Sequence, residues 1–469
     1  MNKATRFLAL LLCVSLAFYA CGEDEDPFEL LVSSTSLEFS AAEESQFLAI
    51  TSNQNWSIEL DVPWIRATPI AGSGNAQISV TADTNASEEV RTARLKVRSG
   101  AIVQQIAITQ AGGTSVTPDY FIPADNTGMR DIPSLELASE MGIGWNLGNS
   151  LEAIGGETAW GNPKTTKELI EVIKAAGFKS VRIPVSWSKF TNAETYEIDP
   201  AWMARVEEVV DYVIDNDMYA VMNIHWDEGW MQPTFAQQEY VNDRLEKMWI
   251  QIALHFRHYQ DHLLFAGTNE VMVEGDYNTP KPENYQVQNS FNQTFVEAVR
   301  STGGRNTYRN LVVQTFNTNI DYGVSFFEMP EDSTEDRLMV EVHYYDPYEF
   351  SLQENETITQ WGKDATVPSK TTSWGGESYA DGQFQKMKTK FIDKGMAVLL
   401  GEYAATDKKA EDNDIYREYY LRYITNSSIA HGLVPFYWDN GYKGDYGSAL
   451  FDRSSGEQIY PDLIKAITD

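Results

Sequence analysis

The stretch VLLGEYAA (398–405) combines a buried strand with a carboxylate at its end. Its first residues form an apolar run typical of a core strand, and Glu402 lies where that strand should leave the core. A second stretch, LLFAGTNEV (263–271), repeats the pattern, because it is apolar up to Asn269 and Glu270. Two buried strands that each end in a carboxylate, about 130 residues apart, predict one shared site.

More strands of this kind alternate with helix-length segments from about residue 132 onward. Periodic stretches such as KELIEVIKAAG (167–177) predict helices between the strands. Eight strands separated by helices indicate the α/β class and a (β/α)8 barrel over residues 132–469. The rival, a doubly wound sheet, needs a glycine-rich phosphate turn that opens a helix, whereas a loop follows GIGWNLGNS (142–150). The predicted strands lie near residues 142–148, 180–187, 219–226, 263–270, 310–317, 338–345, 397–402 and 433–439.

Residues 31–112 have a different pattern, with short alternating runs separated by Gly, Asn and Ser. This pattern predicts a small all-β, immunoglobulin-like antiparallel sandwich. Its Trp56 and Trp64 lie within strand patterns, so we expect both in the core. Residues 113–131 are predicted to be a linker, since AGGTSVTPD (111–119) is rich in Gly, Ser and Thr. The predicted strands are residues 37–40, 46–52, 56–60, 76–82, 93–99 and 102–110.

The first 20 residues predict a signal peptide. Lys3 and Arg6 precede the apolar run 7–20, which is too short to span a membrane. Cys21 follows at the cleavage point, which resembles a lipoprotein signal in which that cysteine carries lipid. The acidic tether 21–30 resembles the export signal of surface lipoproteins of Bacteroidetes. We therefore expect an outer-membrane lipoprotein exposed at the cell surface, with an ordinary cleaved signal as the alternative.

Composition and charge narrow the possible partners. The formal net charge of −32 disfavours nucleic acid and anionic membrane surfaces, which attract Lys and Arg, and it is compatible with a neutral substrate. Cys13 lies within the signal, so the mature chain would keep Cys21 alone and could form no internal disulfide or cysteine metal cluster. Contact with the membrane is therefore expected only through the N-terminal lipid.

Polar or aromatic side chains lie at the predicted ends of six of the eight barrel strands. A barrel enzyme places its chemistry at the carboxyl ends of its strands, and buried polar groups need partners, so these side chains predict one site. Two carboxylates on opposing strands suit glycoside hydrolysis, in which a retaining enzyme holds them about 5–5.5 Å apart. The residues are Arg182, His225, Trp226, Asn269, Glu270, His343, Tyr345, Glu402 and Trp438.

The motifs RIPVSW, NIHW, NE, HYYDPY, GEY and WDNG, in this order, resemble glycoside hydrolase family 5. GWNLGNSLEA (144–153) is similar to the endoglucanase and xyloglucanase branch of that family, and the resemblance covers roughly residues 135–465. In the sandwich, the pattern NWSI, PWI, GSGNAQISV, RTARLKV and IAITQAGG resembles a BACON domain. The chain is therefore expected to be a glycosidase with an appended BACON-like sandwich.

The family resemblance implies a role for each matching residue. Glu270 would be the acid/base and Glu402 the nucleophile. Asn269 would bond the 2-hydroxyl of the sugar at the cleavage point. Arg182 would favour the ionised form of Glu402 by lowering its pKa, and Tyr345 would hold Glu402 in position.

The same resemblance assigns the remaining residues to substrate binding. His225 and His343 would bind hydroxyls or orient the acid/base, Trp438 would form the platform under the sugar ring, and Trp226 would contact substrate. Val271 departs from the family pattern, which has Pro after the acid/base; we expect this to change the shape of the loop more than the activity.

Aromatic residues indicate a polymeric substrate. Trp160, Trp187, Trp226, Trp230 and Trp374 follow predicted strand ends, and we expect about half of them to line a cleft. A long cleft implies internal cleavage of a β-1,4-glucan such as a cellulose-like polymer, xyloglucan or mixed-linkage glucan. The alternatives are an endo-β-mannanase and a non-catalytic glycan-binding surface lipoprotein on a degenerate barrel.

No metal or cofactor is expected. His258 and His262 have a spacing that a metal could use on a helix, but no Glu motif accompanies them or His255. The expected partners are a β-glucan polysaccharide and other surface proteins of glycan uptake, and the chain is expected to be a monomer.

Overall fold

The computed structural model describes residues 29–85, 87, 89–112 and 118–469. The chain divides into two compact units, Met1–Thr117 and Pro118–Asp469. The predicted signal peptide and Cys21 lie outside the described residues, as does most of the acidic tether. Among the helices that are described, none combines the length and the hydropathy that crossing a membrane requires.

The first unit contains two β-sheets that enclose one core. Strands β1, β3, β7 and β5 form one sheet in that order, and β2, β9, β8, β4 and β6 form the other. Alternate residues of β7 are buried, which places Ile78 and Val80 between the sheets. The strands are β1 Leu30–Val32, β2 Ser36–Phe39, β3 Glu44–Ser52, β4 Asn55–Leu60, β5 Ile65–Thr68, β6 Ala71–Ser73, β7 Ala76–Ala82, β8 Arg91–Ser99 and β9 Ile102–Gln110.

The sequence prediction of the sandwich needs two corrections. It missed β1, β5 and β6, which are edge strands of three or four residues and therefore too short to show an alternating pattern. It also treated the sandwich as wholly antiparallel, whereas β2 pairs with β9 in parallel, with Ser36 opposite Ala107.

The two tryptophans of the sandwich belong to its core region. Trp56 is buried and donates its indole N–H to the carbonyl oxygen of Gly74 at 3.0 Å. Trp64 is partly buried against the core, and the Arg91 guanidinium lies 4.2 Å from its ring centroid. The placement of Trp56 in the core is thus confirmed, and Trp64 lies at the edge of that core.

The second unit is a closed parallel barrel of eight strands with helices between them, which confirms the predicted architecture. Its strands are β10 Gly144–Leu147, β11 Ser180–Ile183, β12 Tyr219–Asn223, β13 Leu263–Ala266, β14 Leu311–Gln314, β15 Leu338–His343, β16 Ala397–Tyr403 and β17 Leu433–Asp439. Its helices are α1 Ser134–Met141, α2 Lys167–Ala175, α3 Pro200–Ile214, α4 Phe235–His255, α5 Pro282–Arg300, α6 Ile320–Phe326, α7 Tyr348–Ser351, α8 Glu377–Lys390, α9 Asn413–Ala430 and α10 Pro461–Thr468.

Helix α3 illustrates how the sequence forms the outer layer. Asp199 caps the helix by accepting the backbone N–H of Ala201, and Pro200 occupies the first turn, where its missing N–H is not needed. Val206 and Val213, one face of the helix, are fully buried in the core between strands and helices. The amphipathic pattern therefore fixes the helix against the barrel wall.

Helix α1 covers the end of the barrel opposite the carboxyl ends of its strands. Leu137 and Met141 are fully buried and belong to one apolar cluster with inward-facing strand residues such as Val312 and Leu399. The segment 118–131, which the sequence places in the linker, also contacts this unit, since Arg130 forms an ion pair with Asp261 at 2.5 Å. One end of the barrel is thus filled, and a cleft can form only at the other.

A β-bulge shapes strand β16 at the open end. Val342 of β15 pairs with Leu400 and His343 pairs with Glu402, so Gly401 is an extra residue in the ladder. The carbonyl oxygen of Gly401 accepts a hydrogen bond from the Asn146 amide at 2.8 Å, which holds the bulge in place. The bulge turns the Glu402 side chain into the mouth of the barrel.

Candidate active site

A cleft of about 1040 Å³ opens at the carboxyl ends of the barrel strands. Eight of the nine residues predicted from the strand ends line it, and the ninth, Arg182, lies fully buried beneath it. The eight are His225, Trp226, Asn269, Glu270, His343, Tyr345, Glu402 and Trp438. The structure therefore brings all nine predicted residues together.

Arg182 is the centre of the hydrogen-bond network. Its Nη1 donates to Glu402 Oε1 at 2.9 Å and to Asn146 Oδ1 at 3.0 Å, and its Nη2 donates to Asn269 Oδ1 at 2.6 Å. Its Nε lies 2.8 Å from Oε1 of Glu341, with which it forms a fully buried ion pair. A planar guanidinium can make all these contacts at once, so Arg182 fixes the relative positions of four side chains.

Glu402 is held by donors on both of its oxygens. Arg182 binds Oε1, and the Tyr345 hydroxyl donates to Oε2 at 2.9 Å. Burial raises the pKa of Glu402 above its ordinary value, and the charges of His343 and Arg182 and the bond from Tyr345 oppose that rise. The influence of Arg182 has the direction predicted from the sequence, but the effect of burial is larger.

Glu270 lies four residues beyond the end of β13, and 41% of its side chain is exposed. Its Oε1 is 2.6 Å from Nδ1 of His343. Burial raises the pKa of Glu270, but the hydrogen bond and charge of His343, together with the charge of Arg182, outweigh it and lower the pKa overall. The resting structure therefore pairs the Glu270 carboxylate with a protonated imidazole.

The separation of the two carboxylates decides which chemistry they can perform. One oxygen of Glu270, one oxygen of Glu402 and one ring nitrogen of His343 lie within 4.8 Å of one another. This is close to the spacing of a double-displacement pair and well below the 6.5–9.5 Å or so that an inverting pair needs for an intervening water. A metal ion could in principle use the same three groups, but their atoms are already engaged in hydrogen bonds with one another, Arg182 and Tyr345.

His343 lies between three carboxylates. Besides Glu270 at Nδ1, it has Glu341 Oε1 at 3.3 Å from Nε2, and Glu402 Oε2 lies 3.6 Å from Nδ1. Burial lowers the pKa of His343, but the charge of Glu402 and the hydrogen bonds to Glu270 and Glu341 outweigh it and raise the pKa to about 9. The imidazole is therefore charged near neutral pH.

Glu341 is a site residue that the sequence analysis did not identify. It is fully buried in the middle of β15, and its Oε2 accepts a hydrogen bond from Gln314 Nε2 at 2.7 Å. Burial raises the pKa of Glu341, but the charge of Arg182 and the bond and charge of His343 outweigh it and lower the pKa to about 2. The sequence does contain one indication of this residue, because Glu341 is a carboxylate inside the apolar strand LMVEVH. It lies two residues before His343 and hence on the same face of the strand.

His225 and Trp438 form a stacked pair on another side of the cleft. Their ring centroids are 5.7 Å apart and their planes differ by 10°. Burial and the charges of Arg182 and His343 lower the pKa of His225 well below its ordinary value, so this imidazole is neutral. Gly148 leaves room for the indole, because a Cβ there would lie 3.0 Å from ring atoms of Trp438.

Trp226 lies on a loop that is fixed by Asp227. Trp226 is 51% exposed in the cleft. Oδ1 of Asp227 accepts the backbone N–H groups of Trp187 and Ser188, both at 2.7 Å, and its Oδ2 accepts the indole N–H of Trp230 at 2.8 Å. The sequence analysis missed Asp227, although the motif NIHWDEG places an acidic residue directly after the predicted strand end.

Two predicted strand ends at the site were wrong. Strands β12 and β13 end at Asn223 and Ala266, so Trp226 and Glu270 follow the strands instead of closing them. The reason at β13 is that Thr268 donates its backbone N–H to the Gln314 side chain at 2.8 Å and not to a neighbouring strand.

The predicted cleft tryptophans divide unevenly. Trp226 lines the cleft, while Trp187 is fully buried and donates its indole N–H to the carbonyl of Asn223 at 3.2 Å. Trp160 and Trp374 are each 40% exposed but lie outside the cleft lining, and Trp230 packs under a guanidinium. Strand-end position alone therefore does not separate cleft tryptophans from core tryptophans.

The three histidines that the sequence places on one helix have structural partners, and α4 ends at His255, so His258 and His262 lie beyond it. His255 lies 2.8 Å from a carboxylate oxygen of Glu207, and His258 lies 3.8 Å from the other. His262 stacks on Tyr219 with ring centroids 4.5 Å apart. These contacts give each imidazole a partner other than a metal.

Comparisons with known proteins match both units. A family model described as cellulase (glycosyl hydrolase family 5) matches residues 146–444. A second model, BACON, described as a putative binding domain, N-terminal, matches residues 54–111. Among curated proteins, a xyloglucan-specific endo-beta-1,4-glucanase of Bacteroides ovatus is 39% identical, over 98% of this chain and 96% of its own length.

Comparisons with solved structures agree with these matches. A family 5 xyloglucanase of Bacteroides ovatus in complex with a XXXG heptasaccharide has a TM-score of 0.74 at 39% identity, covering 94% of this chain and 98% of that one. A GH5-4 broad specificity endoglucanase from Bacteroides salanitronis has a TM-score of 0.69 at 37% identity, covering 73% and 96%.

Proposed function

This chain belongs to glycosyl hydrolase family 5 and is a glycoside hydrolase of the endo-β-1,4-glucanase type, and from that premise we propose that it cleaves internal bonds of a β-1,4-glucan with retention of configuration. The observation that carries the proposal is the pair Glu270 and Glu402, whose nearest carboxylate oxygens lie within 4.8 Å of each other in an open cleft. That spacing suits double displacement.

In the first step Glu402 is the nucleophile. Its carboxylate oxygen bonds to C1 of the sugar while the C1–O bond to the leaving chain breaks, and the leaving oxygen takes, through Glu270, the proton that Glu270 shares with His343. In the second step a water gives a proton to Glu270 and bonds to C1, which releases Glu402. Arg182 and Tyr345 aim the Glu402 carboxylate through bonds of 2.9 Å each, so little motion is needed before attack.

The remaining cleft residues bind the sugar. Trp438 offers a flat face, braced by His225, on which a pyranose ring can pack. Arg182 orients Asn269 by donating to its Oδ1 at 2.6 Å, and the Asn269 amide N–H, 3.4 Å from His225 Nε2, would donate to a 2-hydroxyl of the sugar. Trp226, half exposed at the rim, extends the apolar surface along the polymer.

Xyloglucan is the substrate we propose to be preferred. The support is that a relative matching 98% of this chain, sandwich included, is named xyloglucan-specific. A panel of xyloglucan, mixed-linkage glucan, carboxymethylcellulose and galactomannan tests this, with reducing ends measured against loss of viscosity. Fastest release from xyloglucan with an early fall in viscosity is expected, and fastest release from galactomannan would instead make the protein a mannanase.

Glu402→Ala tests the chemical roles. It should lower kcat about 10⁴-fold or more while thermal unfolding stays cooperative. Azide added with an activated aryl β-cellobioside should rescue this variant and yield the α-glycosyl azide, whereas Glu270→Ala with azide should yield the β-glycosyl azide. A Glu402→Ala variant that keeps a tenth of the wild-type rate would exclude Glu402 as nucleophile.

We also propose that Cys21, which lies outside the described residues, carries a lipid that anchors the enzyme at the outer membrane and exposes it at the cell surface. The support is the apolar run followed directly by Cys21 and an acidic tether. Cys21→Ser should move the protein from the membrane fraction to the soluble fraction, because the acyl chains supply the membrane affinity. Unchanged partitioning of the variant would contradict the anchor.

A further inference from the structure

A continuous line of polar groups runs from the cleft into the barrel interior. Glu270 lies 2.6 Å from Nδ1 of His343, and Nε2 of the same ring lies 3.3 Å from Oε1 of Glu341. That oxygen is also 2.8 Å from Arg182 Nε, and the other oxygen of Glu341 accepts from Gln314. Only the Glu270 end of this line faces solvent.

The partners of Glu341 decide which nitrogen of His343 carries the fixed proton. Glu341 accepts from Gln314 and is paired with Arg182, so its carboxylate is ionised and offers only acceptor oxygens. A hydrogen bond to it therefore requires N–H at Nε2 of His343. The second nitrogen, Nδ1, then faces Glu270 with a single proton between them, as Glu270–O⁻···H–Nδ1 or Glu270–OH···Nδ1.

The charges around His343 show why that proton stays in the pair. Arg182 from β11 and His343 itself are the cations, and Glu341 from β15 and Glu402 from β16 balance them. His225 from beyond β12 is neutral. The Tyr345 hydroxyl keeps its proton as a donor to Glu402. With Glu270 ionised, the cluster has three anions against two cations. This excess negative charge holds the shared proton in place as long as Glu341 is charged.

We propose that Glu341 is a positioning residue that fixes the tautomer of His343 and keeps the shared proton in the Glu270–His343 pair up to alkaline pH. This rests on the proposed function, because that proton is the one the leaving oxygen takes. As the C1–O bond breaks, the proton passes from the pair to the leaving oxygen and Glu402 becomes bonded to C1. The water of the second step returns one proton to the pair, so the cycle closes without any other donor.

Glu341→Gln tests the proposal, because it removes the charge at nearly constant shape. The alkaline limb of the pH profile of kcat/KM on the preferred polysaccharide should move down by about one pH unit or more, since loss of an adjacent anion weakens proton retention by that order. With 2,4-dinitrophenyl β-cellobioside, whose leaving group needs no proton, kcat/KM should change far less.

Asp332→Asn is the matched control. It removes the carboxylate of a buried ion pair, in which Arg300 and Asp332 lie 2.7 Å apart. Asp332 lies in the segment between α6 and β15, which leads into the amino end of β15 and so away from the cleft. It should lower thermal stability without moving the alkaline limb. An unmoved limb in folded Glu341→Gln, or equal loss on both substrates, would overturn the proposal and leave Glu341 a packing residue.

Two further measurements separate the possible outcomes. A wild-type protein that hydrolyses no β-glucan rejects the proposed function itself, whereas an active wild type with an unmoved limb in Glu341→Gln rejects only the role of Glu341. If Glu341→Gln does not fold, ¹⁵N-histidine NMR of the wild type decides, with His343 assigned by His343→Asn. A proton on Nε2 from neutral pH upward supports the proposal, and a neutral ring protonated at Nδ1 alone overturns it.

Discussion

Gly401, the residue before the proposed nucleophile, is small because a buried carboxylate occupies the space of a side chain. A Cβ at position 401 would lie 2.0 Å from Oε1 of Glu341. An oxygen and a carbon atom that are not bonded cannot approach so closely. Neither group can move away, because Glu341 is held by its ion pair with Arg182 and the backbone at 401 is held by the bulge. A glycine is therefore required there by packing.

Gly401→Ala should consequently destabilise the fold by about 1–3 kcal/mol, the usual cost of overpacking a core. Gly382→Ala is the control, since Gly382 lies in α8 with nothing within 4 Å of an added Cβ, and alanine there should stabilise by about 0.5–1 kcal/mol. Denaturant unfolding of both variants measures the difference. Equal stabilities would mean that the Glu341 carboxylate is free to move away.

Two neighbouring tyrosines allow a second matched test. The Tyr345 hydroxyl donates to Glu402 Oε2 at 2.9 Å, whereas the Tyr344 hydroxyl is buried with no hydrogen-bond partner among the described residues. Tyr345→Phe should lower kcat/KM about 10- to 100-fold, the equivalent of one hydrogen bond to a charged group. Tyr344→Phe should leave kcat/KM within about twofold. A larger loss in Tyr344→Phe than in Tyr345→Phe would contradict the assigned roles.

At the scale of single residues, the sequence predicts the functional side chains at strand ends better than those inside strands. Glu402 and Trp438 follow apolar runs in an order that one barrel mouth explains. Glu341 and Asn146 are also inward-facing, but each is surrounded by apolar neighbours in sequence, and their partners are supplied by other strands. No local pattern shows that a distant arginine will pair with them.

At the scale of the elements, the loop after β12 is fixed by Asp227. Asp227 has a left-handed backbone with φ of 51° and accepts two backbone N–H groups of the loop after β11, so one carboxylate joins two loops. Asp227→Ala should raise KM for the polysaccharide several-fold with a smaller change in kcat, because Trp226, which we propose contacts substrate, lines the cleft away from the two carboxylates.

Asp199→Ala is the control for Asp227→Ala, because it also removes a carboxylate that fixes local structure. Asp199 caps α3 through the N–H of Ala201, and its loss should cost about 1 kcal/mol of stability while KM stays unchanged. Initial rates over a range of polysaccharide concentrations separate the two variants. An unchanged KM in Asp227→Ala would mean that the loop keeps its shape without the carboxylate.

The sequence predicts elements well when they are long and central. The eight barrel strands are buried on both faces and read as continuous apolar runs, which makes their number predictable. The short edge strands β1, β5 and β6 are not, since each is fixed by its neighbour and not by its own composition. Strand ends such as that of β13 depend on side chains from other strands.

At the scale of the whole molecule, the two compact units predict separable functions. Every residue that we assign to binding or chemistry lies within Pro118–Asp469. A chain that lacks residues 1–117 should therefore hydrolyse soluble β-glucan with kcat and KM within about twofold of the full chain. A large loss of kcat would mean that the sandwich contributes to the site.

The sandwich itself is expected to bind no β-glucan. Its Trp56 is buried and Trp64 is covered by Arg91, so neither offers an open flat ring to a sugar. Affinity electrophoresis of residues 29–112 in xyloglucan should show no retardation relative to a non-binding protein of similar size. Clear retardation would make the sandwich a glycan-binding module.

The contact between Glu341 and Gly401 also restricts how this site can evolve. A larger residue at 401 is tolerated only after 341 has become shorter, and a shorter residue at 341 either removes the anion that we propose the acid requires or, as aspartate, moves its carboxylate away from His343. Neither position can change first without loss of stability or of activity, so the two are expected to drift only together. A genetic screen for suppressors of Gly401→Ala should thus recover short residues at 341 when it selects for folded protein, and almost none when it selects for growth on the polysaccharide.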